Sequence, residues 1–187
     1  MWWHWYSFKV HINLSGMIKY YITNTALAEL MDSIVPPIRN TARALIRQDE
    51  HILLLRKDGY ERGERFALPG GGQELGETLK QALHRECMEE IGSRVEIYNL
   101  VAVADCFKPR DTPPGSTRHL VEFLFECTVP DDYIPQNGPH PDKHQVEVAW
   151  VRLDKLAGMP LYPRSLGQHL TATSGSTGPV YLGSIDW

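Results

Sequence analysis

The sequence predicts an α/β domain over 33–170, with an extension before it (1–32) and a linker and tail after it (171–187). Three observations carry this. Apolar and β-branched residues recur in short strand-like runs, clearest in 119–129, where Val121, Phe123 and Phe125 alternate with Glu122 and Glu126. One stretch, 78–91, contains neither Pro nor Gly and consists mostly of good helix formers. Runs rich in Pro, Gly and Asp separate these segments. A chain of 187 residues is long enough for one domain with a buried core.

Residues 1–32 open on WWHWY and show no clear helical or strand period. They read as an extension dispensable to the domain; packing of its aromatics on the domain, on a membrane surface or on a partner are the other readings. Segments 41–47 (TARALIR) and 51–56 (HILLLR) read as two strands around a turn at Asp49 and Glu50. A charged loop, 57–65, leads to a short strand beginning at Phe66 and then to a Gly-rich turn, Gly70, Gly71 and Gly72. The helix follows, with Gly92 where a helix C-terminus favours a left-handed residue. Segment 95–105 is strand-like, 108–117 is a Pro-rich loop, and 119–129 is the alternating strand. A second Pro, Gly and Asp-rich loop spans 130–143, a last core strand 146–153, and a further helix 163–170. TATSGSTGP (171–179) has the composition of a flexible linker, and VYLGSIDW after it is apolar enough to dock on the domain or on a second subunit.

The run LPGGGQELGETLKQALHRECMEEIG (68–92) carries the chemistry. At about 100° per residue, Glu86, Glu89 and Glu90 fall within an arc of roughly 100° that they share with Leu79, Ala82 and Leu83. The inward face is therefore apolar in the first half and acidic in the second. A surface helix sends its acids to water instead. Three acids converging on a partly buried face repel one another and lose hydration, which raises their pKa values. A divalent cation removes both penalties, and carboxylate oxygens suit Mg²⁺ or Mn²⁺. Consecutive glycines let the backbone approach a ligand, and a carbonyl there can complete the coordination. Arg85 lies four residues before Glu89 and can also reach back to Glu77, a placement that holds carboxylates rather than substrate.

These residues resemble the Nudix box of the MutT-like hydrolases, G-x5-E-x7-R-E-U-x-E-E-x-G-U, with U a bulky apolar residue. Gly71, Glu77, Arg85, Glu86, Glu89, Glu90 and Gly92 match, Cys87 takes the first U position, and only Ser93 departs at the last. The resemblance implies an α/β/α sandwich with a mixed central sheet, and a Mg²⁺- or Mn²⁺-dependent pyrophosphohydrolase acting on a nucleoside diphosphate derivative: ADP-ribose-like, a nucleotide sugar or a nucleoside triphosphate. It implies Glu86, Glu89 and Glu90 as metal ligands, the carbonyl of Gly70 as a further ligand, and Glu77 in support. The general base varies within the family. It is expected at Glu86 or on a later segment, where Glu147, near the start of the last core strand, is the first candidate and Glu122 the second. His119, His144, Arg43 and Arg56 are further candidates for phosphate contact. Pro109 stands sixteen residues after Ser93, as does a proline that marks ADP-ribose pyrophosphatases in the family. A nucleotide-binding sensor without catalysis is the alternative, though every acid of the box is present.

The rest of the composition narrows the partners. Net charge is −4, and no basic block or aromatic–basic stripe appears, so a nucleic-acid polymer is not the expected partner. No apolar run approaches the ~18 residues of a membrane span. Cys87, Cys106 and Cys127 lack metal-type spacing, and their odd number points to a reducing, cytoplasmic setting. The expected ligand is a small nucleotide, and the apolar tail admits a homodimer.

Overall fold

The computed structural model describes residues 10–12, 20–22, 38–59, 63–109, 117–164, 170 and 180–186. The chain divides into two compact units, Met1–Pro37 and Ile38–Trp187. In the first, strands β1 (Val10–Ile12) and β2 (Tyr20–Ile22) pair antiparallel. The remainder of the expected 1–32 extension lies outside the described residues.

The second unit is built on a mixed sheet. Its strands are β3 (Ile38–Gln48), β4 (His51–Gly59), β5 (Gly63–Ala67), β6 (Gly70–Gly72), β7 (Glu96–Pro109), β8 (Thr117–Thr128), β9 (Gln145–Arg152) and β10 (Tyr181–Ile185). The order is β10-β7-β8-β3-β4-β5, with β6 on β3 and β9 on β4. β3 runs parallel to β8 and β10 parallel to β7, and the other pairs are antiparallel. The α/β fold expected from the sequence is the one observed.

The helix α1 (Leu79–Ile91) starts at Thr78, whose side chain accepts from Gln81 N–H while the Gln81 side chain accepts from Thr78 N–H, a reciprocal cap. It stops at Gly92, at φ 64°. Its Leu83, Cys87 and Ile91 pack with Ala42, Ala44 and Ile46 of β3, Leu53 and Leu55 of β4, Phe125 of β8 and Val148 of β9. The opposite sides of the same strands bury Leu45, Ile52, Leu54 and Leu124 in a second cluster with Phe66, Leu156 and Leu161. The run HILLLR is thus a strand covered on both faces, which is why it reads as continuous rather than alternating.

Three expectations change. The charged segment 57–65 is mostly not a loop: β4 continues to Gly59 and β5 begins at Gly63, with Lys57 opposite Arg65 and Asp58 opposite Glu64. The three glycines form a short strand on β3 rather than a turn. Glu122, read as a candidate base or otherwise as a solvent-facing residue of the alternating strand, is 1% exposed. β8 lies inside the sheet between β7 and β3, and the face that carries Glu122 is covered as well: Leu120 and Leu124, two residues to either side of it, are buried. Of the expected helix 163–170 only Pro163, Arg164 and Leu170 are described, and 171–179 lie outside the described residues. The tail adds strand β10, with Ile185 buried against Ala104, Cys106 and Leu120. Among the described residues no helix is long and apolar enough to cross a membrane.

Candidate functional site

The acidic face of α1 lies on the glycine strand. A Cβ on Gly71 would fall 2.5 Å from the Glu86 carboxylate, so that carboxylate occupies the space a side chain would take. Gly70 N–H donates to Glu90 Oε2 at 2.7 Å. Gly70 needs its lack of a side chain twice over: its φ is 121°, and a Cβ would lie 2.1 Å from the Ala42 carbonyl oxygen. Pairing of Gly70, Gly71 and Gly72 with Arg43, Ala42 and Thr41 therefore fixes the backbone on which both acids rest.

Arg85 gathers the rest. Its Nε and Nη2 donate to Glu77 Oε1 and Oε2 at 2.8 and 3.0 Å, a bidentate pair. Nη1 reaches Glu86 Oε1 at 3.0 Å and Glu89 Oε2 at 3.5 Å, and Nη2 also donates to the Gly72 carbonyl at 2.9 Å. The Arg85 guanidinium, with help from the Glu74 N–H, holds the Glu77 carboxyl down at about 2. One guanidinium thus ties Glu77, Glu86 and Glu89 to the end of the glycine strand.

Glu90 is different. It is 3% exposed, and burial pushes its carboxyl up to about 7, against the opposing pull of the Lys57 ammonium, the Gly70 N–H and the Arg43 guanidinium. Its charge is incompletely compensated by the protein. Among the described residues no group of three His, Cys, Asp or Glu side chains is close enough together to hold a metal ion. Arg85 and the Gly70 N–H already engage oxygens of these carboxylates. The donor set nonetheless fits a hard divalent cation: the carboxylates of Glu86, Glu89 and Glu90, the last of them buried with its charge only partly offset, and a backbone carbonyl at Gly70. The Gly70 carbonyl already accepts from Arg43 Nη1.

Arg43 sits at the junction of this site with a second set of charges. Between Ala42 and Ala44, which face α1, its side chain leaves the opposite face of β3. Nε donates to Glu122 Oε2 at 2.9 Å, and Thr41 Oγ1 donates to the same oxygen at 2.5 Å. Glu122 is therefore the buried counter-charge of Arg43, not a free acid. Lys57, 6% exposed, pairs with Asp142. Burial pushes Lys108 down to about 8, and the charges of Arg43 and Lys57 add to that. Lys57 and Asp142 were missed by sequence reasoning. Lys57 falls in the segment read as a charged loop and Asp142 in the Pro, Gly and Asp-rich loop; the one signal is that Lys57 extends the inward period of Leu53 and Leu55.

Other candidates lie elsewhere. Glu147 Oε1 pairs with Arg56 Nε at 2.7 Å, and Arg56 also meets Glu64 at 3.4 Å. Val148 packs against α1, so Glu147 projects from the other face of β9. Glu147 and Arg56 thus occupy one another away from the helix acids. His119 Nε2 lies 2.5 Å from Asp105 Oδ1 and its ring stacks on Phe107 at 4.6 Å. His144 lies beside Gly59.

Comparisons with known proteins bear on the family and the fold. Residues 37–169 match the family model described as NUDIX domain. The chain is 32% identical over 123 residues to the nucleoside triphosphatase NudI of Enterobacter sp. (strain 638), covering 62% of this chain and 84% of that protein. It is 33% identical over 125 residues to the NAD-capped RNA hydrolase NudC of Edwardsiella ictaluri (strain 93-146), covering 67% of this chain but only 43% of that protein. A shorter stretch, 85 residues at 35% identity, matches the ADP-ribose pyrophosphatase of Methanocaldococcus jannaschii, 46% of this chain and 47% of that one. The crystal structure of a NUDIX hydrolase from Nitrosomonas europaea superposes with a TM-score of 0.61 at 20% identity, covering 96% of this chain and 94% of that one, a likeness of fold.

Proposed function

Because this chain belongs to the NUDIX domain family, we propose that it is a pyrophosphohydrolase, cleaving a phosphoric anhydride bond of a nucleoside diphosphate or triphosphate derivative with Mg²⁺ or Mn²⁺. The observation that carries this reading is the seating of Glu86 and Glu90 on adjacent glycines, with Arg85 tying Glu86, Glu89 and Glu77 to the same strand.

In this reading Glu86, Glu89, Glu90 and the Gly70 carbonyl hold the cation. A bound Mg²⁺ or Mn²⁺ supplies charge against the phosphate oxygens and lowers the pKa of the attacking water. The protein does the positioning, which is most of the catalysis in phosphoryl transfer. Arg85 keeps the carboxylates aligned. Arg43 and Lys57, both within electrostatic reach of Glu90, would offset phosphate charge brought close to it. A carboxylate, Glu86 or Glu147, takes the proton of the water. Their placement favours Glu86, whose carboxylate lies against the glycine strand with the other helix acids, whereas Glu147 leaves the other face of β9.

Three substrate classes follow from the relatives' names, nucleoside triphosphates, ADP-ribose and NAD-capped RNA, and nucleotide sugars join them from the resemblance of the box. The test is a panel of these, each assayed with Mg²⁺ and with Mn²⁺, products identified by chromatography. Release of a nucleoside monophosphate from at least one member supports the reading. Tight nucleotide binding with no product from any member would favour a sensor.

A further inference from the structure

Glu89 and Glu90 stand in the last turn of α1, and a helix leaves its last four carbonyls without an intrahelical donor. Such turns fray when water alone meets them. Here the segment 137–145, between β8 and β9, meets them instead. His140 N–H donates to the Glu89 carbonyl at 3.0 Å, and Gly138 N–H to the Glu90 carbonyl at 2.9 Å. Gln145 Nε2 donates to the same Glu90 carbonyl at 2.7 Å and to Asn137 Oδ1 at 3.0 Å. At its far end the segment is pinned to β4, through the Lys57–Asp142 pair and through Asp58 N–H donating to the His144 carbonyl at 2.9 Å.

The docking is as close as backbones allow. A Cβ on Gly138 would fall 2.3 Å from the Glu89 carbonyl oxygen and 2.7 Å from both the Glu89 carbonyl carbon and Gly92 N. All three are backbone atoms, so no side-chain rotation relieves the overlap. Either the segment or the end of the helix must move by about 1 Å to restore ordinary contact near 3.4 Å.

We propose that 137–145 is a positioning element of the acidic site, and that Gly138 sets its docking distance so that Glu89 and Glu90 are held ready for a divalent cation. The inference rests on the reading of these acids as cation ligands. Mg²⁺ in particular demands near-ideal ligand geometry, so a shift of this size at the helix end is felt at the carboxylates. The hydrogen bonds go to the backbone carbonyls of Glu89 and Glu90, not to their carboxylates.

Direct Mn²⁺ binding tests it, read from the electron paramagnetic resonance signal of free Mn²⁺ without substrate, alongside melting temperatures in chelator. The variants are Gly138→Ala, Gln145→Leu and Tyr133→Phe. Tyr133 is the control: its hydroxyl donates to the Ile91 carbonyl at 2.9 Å, at the same helix end, but the Ile91 side chain lies in the core. Gly138→Ala should weaken Mn²⁺ binding by about tenfold or more, as losses of supporting contacts do. Gln145→Leu should weaken it by a smaller factor, and Tyr133→Phe should lower the melting temperature while leaving Mn²⁺ affinity unchanged. Wild-type affinity in both Gly138→Ala and Gln145→Leu would overturn the proposal, and so would equal weakening by Tyr133→Phe, which marks general loosening. If Gly138→Ala does not fold, Gln145→Leu decides. If the wild type binds no Mn²⁺, the reading of the acids fails, and this inference with it.

Discussion

Alanine at Gly71 would put a Cβ 2.5 Å from the Glu86 carboxylate, where ordinary contact begins near 3.4 Å. The shortfall is 3.4 − 2.5 = 0.9 Å. It falls on the tip of a flexible side chain, so Glu86 can retreat and the fold should survive. The retreat draws its carboxylate away from Arg85 Nη1, now at 3.0 Å, and out of the set it forms with Glu90. Misplacement of a catalytic group by about 1 Å costs about 100-fold in rate, or ~2.7 kcal/mol of barrier. Gly71→Ala should thus lower kcat by about that factor while its melting temperature stays close to wild type. Gly70→Ala is the contrast. There the overlap, 2.1 Å, is with the Ala42 backbone carbonyl, and φ is 121°, so stability should fall sharply along with activity. Steady-state kinetics and thermal melts of the two variants, on the best substrate of the panel, measure this. A Gly71→Ala enzyme within about threefold of wild-type kcat would refute the claim that Glu86 must sit where it does.

Other consequences are sharp enough to measure. Glu90 is a carboxyl raised from 4.5 to about 7, so the folded metal-free protein binds more protons than the unfolded chain in that window. Its stability should therefore fall as pH rises from 4.5 to 7, Glu90→Gln should remove the slope, and melting curves in chelator across that range check both. Glu77 has the opposite sign: its carboxyl is lowered to about 2, so its contribution is present above pH 4.5 and lost as pH falls towards 2. Arg85→Ala should abolish that component and cut kcat; an NMR titration of Glu77 returning towards 4.5 in the variant is the readout. For the proton acceptor, Glu86→Gln should lose about 100-fold or more in kcat while Glu147→Gln stays within about tenfold. The reverse order would assign Glu147.

Much of the site was legible because it is local. Thr78, Gln81 and Gly92 cap a helix whose wheel places Glu86, Glu89 and Glu90 together, and the glycines that receive them lie in the same continuous run. Arg85 to Glu77 is a contact within the same run. What stayed hidden depends on pairing between distant strands. Alternation in 119–129 showed two faces but not that β3 and β7 would flank the strand and enclose Glu122 with Arg43, 79 residues away. Arg56 and Glu147 meet across 91 residues through the register of β4 and β9, which nothing in either segment announces. Charge density in 57–65 suggested a loop, whereas Lys57 is buried in a strand because Asp142 comes from 85 residues later to pair with it.

The central claim is that the acids on the glycine strand hold a divalent cation that hydrolysis requires. The most direct measurement is hydrolysis of the preferred substrate by wild-type protein and by Glu90→Gln, first in EDTA and then with Mg²⁺ or Mn²⁺ restored. No product should form in EDTA, the wild type should recover fully on adding the cation, and Glu90→Gln should run at least about 100-fold slower at the same cation concentration. Undiminished hydrolysis in EDTA, or full recovery of Glu90→Gln, would contradict the claim.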